Sequence, residues 1–127
     1  MFEVNRDTAA ITMHQGDTGA VLYTATRSSG EPFGQDDVAL YTVVDPYGQI
    51  VIQRTYGLAD AELGNGKFMV QFHNADTDHR PAGTYKTEVR YIINPYGSGA
   101  KPEDGDIVRT PSKLQSTLTI LPVYGEV

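Results

Sequence analysis

The sequence predicts an all-β fold of about seven to nine short antiparallel strands, arranged as a two-sheet sandwich or a small barrel. Three observations lead there. The first is strict alternation of apolar and polar side chains in three segments. Phe68, Val70 and Phe72 alternate with Lys67, Met69, Gln71 and His73. Tyr85, Thr87, Val89, Tyr91 and Ile93 alternate with Lys86, Glu88, Arg90 and Ile92. Leu114, Ser116, Leu118 and Ile120 alternate with Lys113, Gln115, Thr117 and Thr119. A period of two is that of a strand with one dry face and one wet face. The second observation is turn chemistry recurring about every ten residues. The third is composition: β-branched residues, tyrosine, glycine and proline abound, whereas the long Ala/Leu/Glu/Lys runs of helices are missing.

In chain order, residues 1–9 read as a lead-in arm. Ala10 to His14 is predicted as the first strand, and Gln15-Gly16-Asp17-Thr18-Gly19 as a turn. Ala20 to Arg27 follows as a strand whose inward face is ambiguous, because Val21, Leu22 and Tyr23 are all large. Ser28-Ser29-Gly30-Glu31-Pro32 breaks it. Val38 to Val44 has the dense apolar run of a central strand. Asp45-Pro46-Tyr47-Gly48 is a turn in which Asp accepts bonds from the backbone, Pro presets φ and Gly closes. Gln49 to Tyr56 returns as the second arm of that hairpin. An edge strand is expected around Ala59 to Leu63, and Gly64-Asn65-Gly66 launches the Phe68 strand. Asn74 to Pro81 is polar and long enough only for one helical turn. Gly83 to Ile93 is the longest strand. Asn94-Pro95-Tyr96-Gly97 repeats the earlier turn signature and opens an acidic Gly/Pro loop through Asp106. Ile107 to Thr110 is expected to pair briefly, and Leu114 to Leu121 is the last strand, stopped by Pro122. The whole, 1–127, reads as one domain. Phe68, Phe72, Val89 and Leu118 should share one interior, joined by the strand tyrosines Tyr23, Tyr41, Tyr85 and Tyr91.

Charge and composition narrow the function. The 127 residues carry a net charge of −6 and a pI near 4.8, and the ten basic residues are scattered. An acidic surface without a basic stripe argues against a nucleic-acid partner. No apolar run approaches the length of a membrane helix. The start, Met1-Phe2-Glu3-Val4-Asn5-Arg6-Asp7, has neither a basic segment nor an apolar core, so no secretory signal is expected. With no cysteine, disulfides and thiolate metal sites are excluded.

No residue set announces a reaction, and no enzyme activity or cofactor is expected. His14, His73 and His79 lack metal-ligand spacing and read as solvent-facing strand and turn residues. Glu103-Asp104-Gly105-Asp106 and Asp36-Asp37 offer hard oxygens for Ca²⁺, but not the alternate-position ligands of an EF-hand loop, so they read as solvated acids and no metal site is predicted. The acids cluster at turns, where Asp serves the backbone, and no Gly-x-Ser-x-Gly elbow or phosphate loop occurs. The candidate binding residues are the tyrosines Tyr47 and Tyr96, at turn positions, and Tyr124 near the C-terminus. Exposed aromatic rings are enriched at protein interfaces and stack on sugars.

Asp78, Ala82, Gly83 and Tyr85, just before the longest strand, resemble the tyrosine corner of immunoglobulin-like domains. The Cys…Trp…Cys pin of antibody domains is absent. Gln15-Gly16-Asp17-Thr18 before a strand, Gly66-x-Phe68-x-Val70-x-Phe72, Ala82-Gly83-x-Tyr85-x-x-Glu88 and a closing Ile120-Leu121-Pro122 extend the likeness over residues 10–122. Together they resemble the immunoglobulin-like N-terminal domain of baseplate upper proteins of siphophages that infect Gram-positive bacteria. The resemblance implies an immunoglobulin-like β-sandwich serving as a non-catalytic structural component of a phage or prophage particle, a tail or baseplate adaptor or decoration. Such a protein would be made in the bacterial cytoplasm and end in the virion. Its partners would be other virion proteins or itself, as a homo-oligomer. The alternative is a carbohydrate-binding module that uses Tyr47 and Tyr96 as a stacking platform for a cell-surface glycan.

Overall fold

The computed structural model describes residues 2–5, 7–25, 32–35, 37–59, 62–93, 106–108 and 115–123. Among them are nine strands: β1 (Phe2–Val4), β2 (Ile11–His14), β3 (Gly19–Thr24), β4 (Val38–Val44), β5 (Ile50–Gly57), β6 (Lys67–Phe72), β7 (Gly83–Ile93), β8 (Asp106–Val108) and β9 (Ser116–Leu121). A single helical turn, α1 (Asn74–Thr77), separates β6 from β7. The strands form two sheets. The larger runs β1-β2-β9-β7-β4-β5, with β8 pairing the end of β7; the smaller is the ribbon β3-β6.

The all-β expectation holds, with one change of pairing. The sheet is mixed, because β2 lies parallel to β9, Ile11 opposite Leu118 and His14 opposite Leu121. All other pairs are antiparallel. A parallel pair needs a long crossover. Here the crossover is nearly the whole domain, since the chain leaves β2 for the other sheet and reaches β9 only at the end.

Alternation sets the core. Val21 and Tyr23 from β3 and Phe68, Val70 and Phe72 from β6 meet Ala39, Tyr41 and Val43 from β4, Tyr85, Val89 and Tyr91 from β7, and Leu118 and Ile120 from β9. Phe68, Phe72, Val89 and Leu118 thus share the interior, each at most 1% exposed. Ring contacts stitch one sheet to the other. Tyr23 stacks on Phe68 within the ribbon at 5.2 Å between centroids and reaches Tyr41 on β4 at 6.0 Å, while Tyr41 meets Phe72 edge-on at 6.3 Å. Such pairs each add about 0.5–1.5 kcal/mol beyond their burial. At the open side of the layers, Arg54 on β5 donates to Gln71 O on β6 and to Asp76 Oδ1 on α1, both at 2.6 Å.

Three local outcomes differ from the sequence expectations. The lead-in at 1–9 holds a strand: Phe2–Val4 pairs with β2, and the Phe2 ring packs on Phe72 and over Gly19, where a side chain would collide with it. The edge strand expected near Ala59 to Leu63 is not formed among the described residues, where Glu62 and Leu63 are in a turn; residues 60 and 61 lie outside them. Leu58 is instead a buried anchor, donating to Asp37 O and accepting from Gly66 N. Finally, Asp37 is not a solvated acid. It is 3% exposed and its Oδ2 accepts from Gly34 N at 2.7 Å, which closes the loop before β4.

Candidate functional site: a turn-end binding surface

The strand registers bring several termini to one end of the large sheet. Val44 at the end of β4 faces Ile50 at the start of β5 and Lys86 near the start of β7; Gly83 faces Ile120, and His14 faces Leu121. The β4–β5 turn therefore sits at the same end as the start of β7 and the exit from β9.

The turn has the geometry its residues dictate. Asp45 Oδ1 accepts from Tyr47 N and Gln49 N, both at 2.9 Å. Gly48 N returns to Asp45 O at 3.0 Å, with Gly48 at φ +85°. A left-handed glycine after such a turn is the usual closure of a three-residue hairpin. The register then skips Val51 as a bulge. The tight backbone throws Tyr47 outward, 90% exposed.

Of the four large apolar side chains exposed among the described residues, three lie at this end: Tyr47, Ile50 at 57% and Val123 at 50%. Pro46, Pro81 and Ala82 are exposed beside them. A cleft of about 230 Å³ opens between the β4–β5 turn and the start of β7, lined by Asp45, Tyr47, Arg80, Pro81 and Tyr85. Arg80 is held from both sides: its Nη2 donates to Val51 O at 3.0 Å, and its carbonyl accepts from Gln15 Nε2 at 2.6 Å. Its buried Nε has no hydrogen-bond partner. Tyr85 Oη donates to Pro81 O at 2.7 Å, fixing the floor of the cleft. Burial raises the Tyr85 pKa, and the positive charge of Arg80 opposes the rise in part.

A second, shallower depression of about 670 Å³ runs from this end along the outer face of the large sheet. Leu40, Thr42, Val44 and Ile50 line it on one side, and Lys86, Glu88 and Arg90 on the other. Glu88 ties this wall together, accepting from Arg90 Nε and, at 3.1 Å, from Gln115 Nε2.

The surface can stack and hydrogen-bond: it offers one free aromatic ring, a carboxylate and a guanidinium over apolar ground. Of the three tyrosines expected to bind, Tyr47 lies here; Tyr96 and Tyr124 lie outside the described residues, as do Asp36 and 103–105. The histidines stay apart as single residues. His14 is 3.9 Å from Asp17, His79 pairs with Asp78 at 2.9 Å, and His73 precedes α1. Among the described residues no group of three or more His, Asp or Glu is placed to hold a metal ion. Ile50, Val123 and Arg80 were not legible as surface residues. Ile50 follows a turn whose bulge resets its facing, and Arg80 carries no motif. No protein-family model matches the chain, and no curated protein matches it.

Proposed function

We propose that this chain is an immunoglobulin-like β-sandwich that acts without catalysis, through protein–protein contacts, as a structural component of a phage or prophage particle. The immunoglobulin-like reading is supported by the Tyr85 hydroxyl, which bonds the Pro81 carbonyl four residues upstream at the entry to β7, as a tyrosine corner does. It is supported as well by the two-layer arrangement, with the β3-β6 ribbon over the large sheet and β2 running parallel to β9 along its margin.

The contact reading is carried by the clustering of Tyr47, Ile50 and Val123 at one end of the molecule. Single exposed apolar residues are ordinary on a monomer, but a cluster with a free aromatic ring is the composition of an interface. The virion role comes from the motifs at residues 15–18, 66–72, 82–88 and 120–122. Its test is to purify particles from the cell that carries the gene and to identify their proteins by mass spectrometry. The chain should be present in fixed proportion to known tail proteins, and genes for tail, tape-measure or holin products should flank its own.

A glycan is the second reading, favoured by the Tyr47 ring beside Asp45 and Arg80 in the small cleft. A glycan array separates the two. Binding that Tyr47→Ala abolishes, together with absence of the chain from particles, would select the sugar.

A further inference from the structure

We infer that the free edge of β3 pairs antiparallel with β3 of a second copy of this chain; the inference deepens the contact reading above, and rests on it, by naming a partner and the strand that meets it. The ladder between β3 and β6 is regular through six residue pairs, from Gly19 opposite Phe72 to Thr24 opposite Lys67. It continues at Ala25, whose N–H donates to Gly66 O at 2.7 Å. In an antiparallel pair alternate residues bond the neighbour and the others point away. Ala25, Tyr23, Val21 and Gly19 therefore spend their backbone groups on β6. Ala20, Leu22 and Thr24 direct theirs to the open side, where no hydrogen bond from the described residues reaches them.

The other open margins carry guards. At the edge of β5, Val51 O accepts from Arg80; at the edge of β6, Gln71 O accepts from Arg54, which bridges the seam between the two sheets. At the far margin, β1 is only three residues long and carries Glu3. β3 has none of these devices: six residues, no charge, no proline and no break in register. Natural sheets rarely leave such an edge unmanaged unless something pairs with it.

The occupant is specified by the strand itself. Only one antiparallel register between two copies engages all three outward residues of each: Leu22 opposite Leu22 of the second copy, and Ala20 opposite Thr24. It forms about six backbone hydrogen bonds around a two-fold axis. The same register sets the two Leu22 side chains, each 50% exposed, directly against one another. In a chain of net charge −6, residues 19–24 are a stretch where two copies meet without opposing carboxylates. Lys67, beside Thr24, falls in a row with Ala20 and Gln71 of the second copy, so it faces no like charge.

Sedimentation equilibrium of the full chain tests this over loadings from about 1 to about 300 µM. The mass should rise from 13.9 kDa toward twice that value. Leu22→Lys, at a solvent-facing position, should keep its thermal midpoint and weaken the dimer at least about tenfold, because two ammonium groups then meet on the axis. Ala20→Lys with Thr24→Lys should weaken it likewise, whereas Ala20→Lys with Thr24→Glu, at the same two sites, should retain it. A wild-type mass of 13.9 kDa at every loading overturns the pairing. So does a wild-type dimer that both like-charge variants preserve. If that dimer is lost instead in Tyr47→Ala with Ile50→Asp, the contact reading stands and the β3 register alone is wrong.

Discussion

The hydroxyls of Tyr85 and Tyr91 are both carried by core rings and are bonded differently. Tyr85 Oη donates to Pro81 O, whereas Tyr91 Oη, like Tyr41 Oη, is buried without a hydrogen-bond partner of normal geometry. A made hydrogen bond contributes roughly 1 kcal/mol net, whereas a buried donor left without a partner costs about 1–3 kcal/mol. Tyr85→Phe should therefore lower the unfolding free energy by about 1 kcal/mol. Tyr91→Phe should leave it unchanged or raise it, by up to about 3 kcal/mol. Urea unfolding of the two variants beside wild type is the check, and a clear loss in Tyr91→Phe would mean that its hydroxyl has a partner. That these tyrosines are core residues was legible, because each falls on the apolar phase of a strand. The tyrosine-corner likeness pointed the Tyr85 hydroxyl back to upstream backbone, where Pro81 O accepts it. Where the Tyr41 and Tyr91 hydroxyls end was not legible, since that depends on groups from other strands. Leu22 is the counterpart: flanked by Val21 and Tyr23, its facing was undecided until pairing with β6 put its neighbours inward.

At the scale of elements, two glycines separate backbone strain from packing. Gly48 and Gly66 both have left-handed φ, +85° and +83°. A β-carbon at Gly48 meets nothing within 4 Å, while at Gly66 it falls 2.2 Å from the Ala25 carbonyl oxygen. Gly48→Ala should cost about 1–2 kcal/mol, the left-handed penalty alone. Gly66→Ala adds a backbone clash that breaks the Ala25–Gly66 ladder bond, and should cost about 3 kcal/mol or more. Thermal midpoints in that order are expected; equal midpoints would contradict the close approach at Gly66. The strands with strong period and clear punctuation, β4 and β7, run between the residues the sequence predicted, and the Asp-Pro-Tyr-Gly hairpin turns as its side chains require. β1 escaped notice because three residues show no period and are stabilised by Phe2 reaching Phe72, a contact seventy positions away. The Ala59–Leu63 segment misled because an apolar residue after a strand reads as more strand, when Leu58 turns in to anchor the loop.

For the whole molecule, the tyrosines make stability sensitive to alkali. Burial raises the pKa of Tyr23, Tyr41, Tyr85 and Tyr91 above the usual 10, and that of Tyr91 to about 12. A raised value in the folded state means that the unfolded chain loses its protons first. The stability from keeping these hydroxyls neutral is full below pH 10 and is lost as pH climbs through about 12. Unfolding free energy, measured by denaturant at steps from pH 8 to beyond 12, should be unaffected by these groups up to about 10 and then fall; a curve still flat at 12 would contradict the burial. At this scale the sequence was least informative. Alternation says which residues face inward, not which strands are neighbours, so the parallel β2–β9 pair, the assembly of a turn-end surface from four separate segments and the open edge of β3 all required the fold. Of the described residues at that end, Tyr47 was readable as exposed, because the Asp45 turn chemistry dictates that its ring leaves the sheet. The most direct measurement is the protein content of particles purified from cells expressing either wild type or Tyr47→Ala with Ile50→Asp, with the folding of each verified by thermal melt. Wild type should be found in the particles and the folded double variant depleted at least about tenfold, the loss expected when central interface residues are removed. Absence of wild type, or equal incorporation of the two, would contradict a contact role for this end of the molecule.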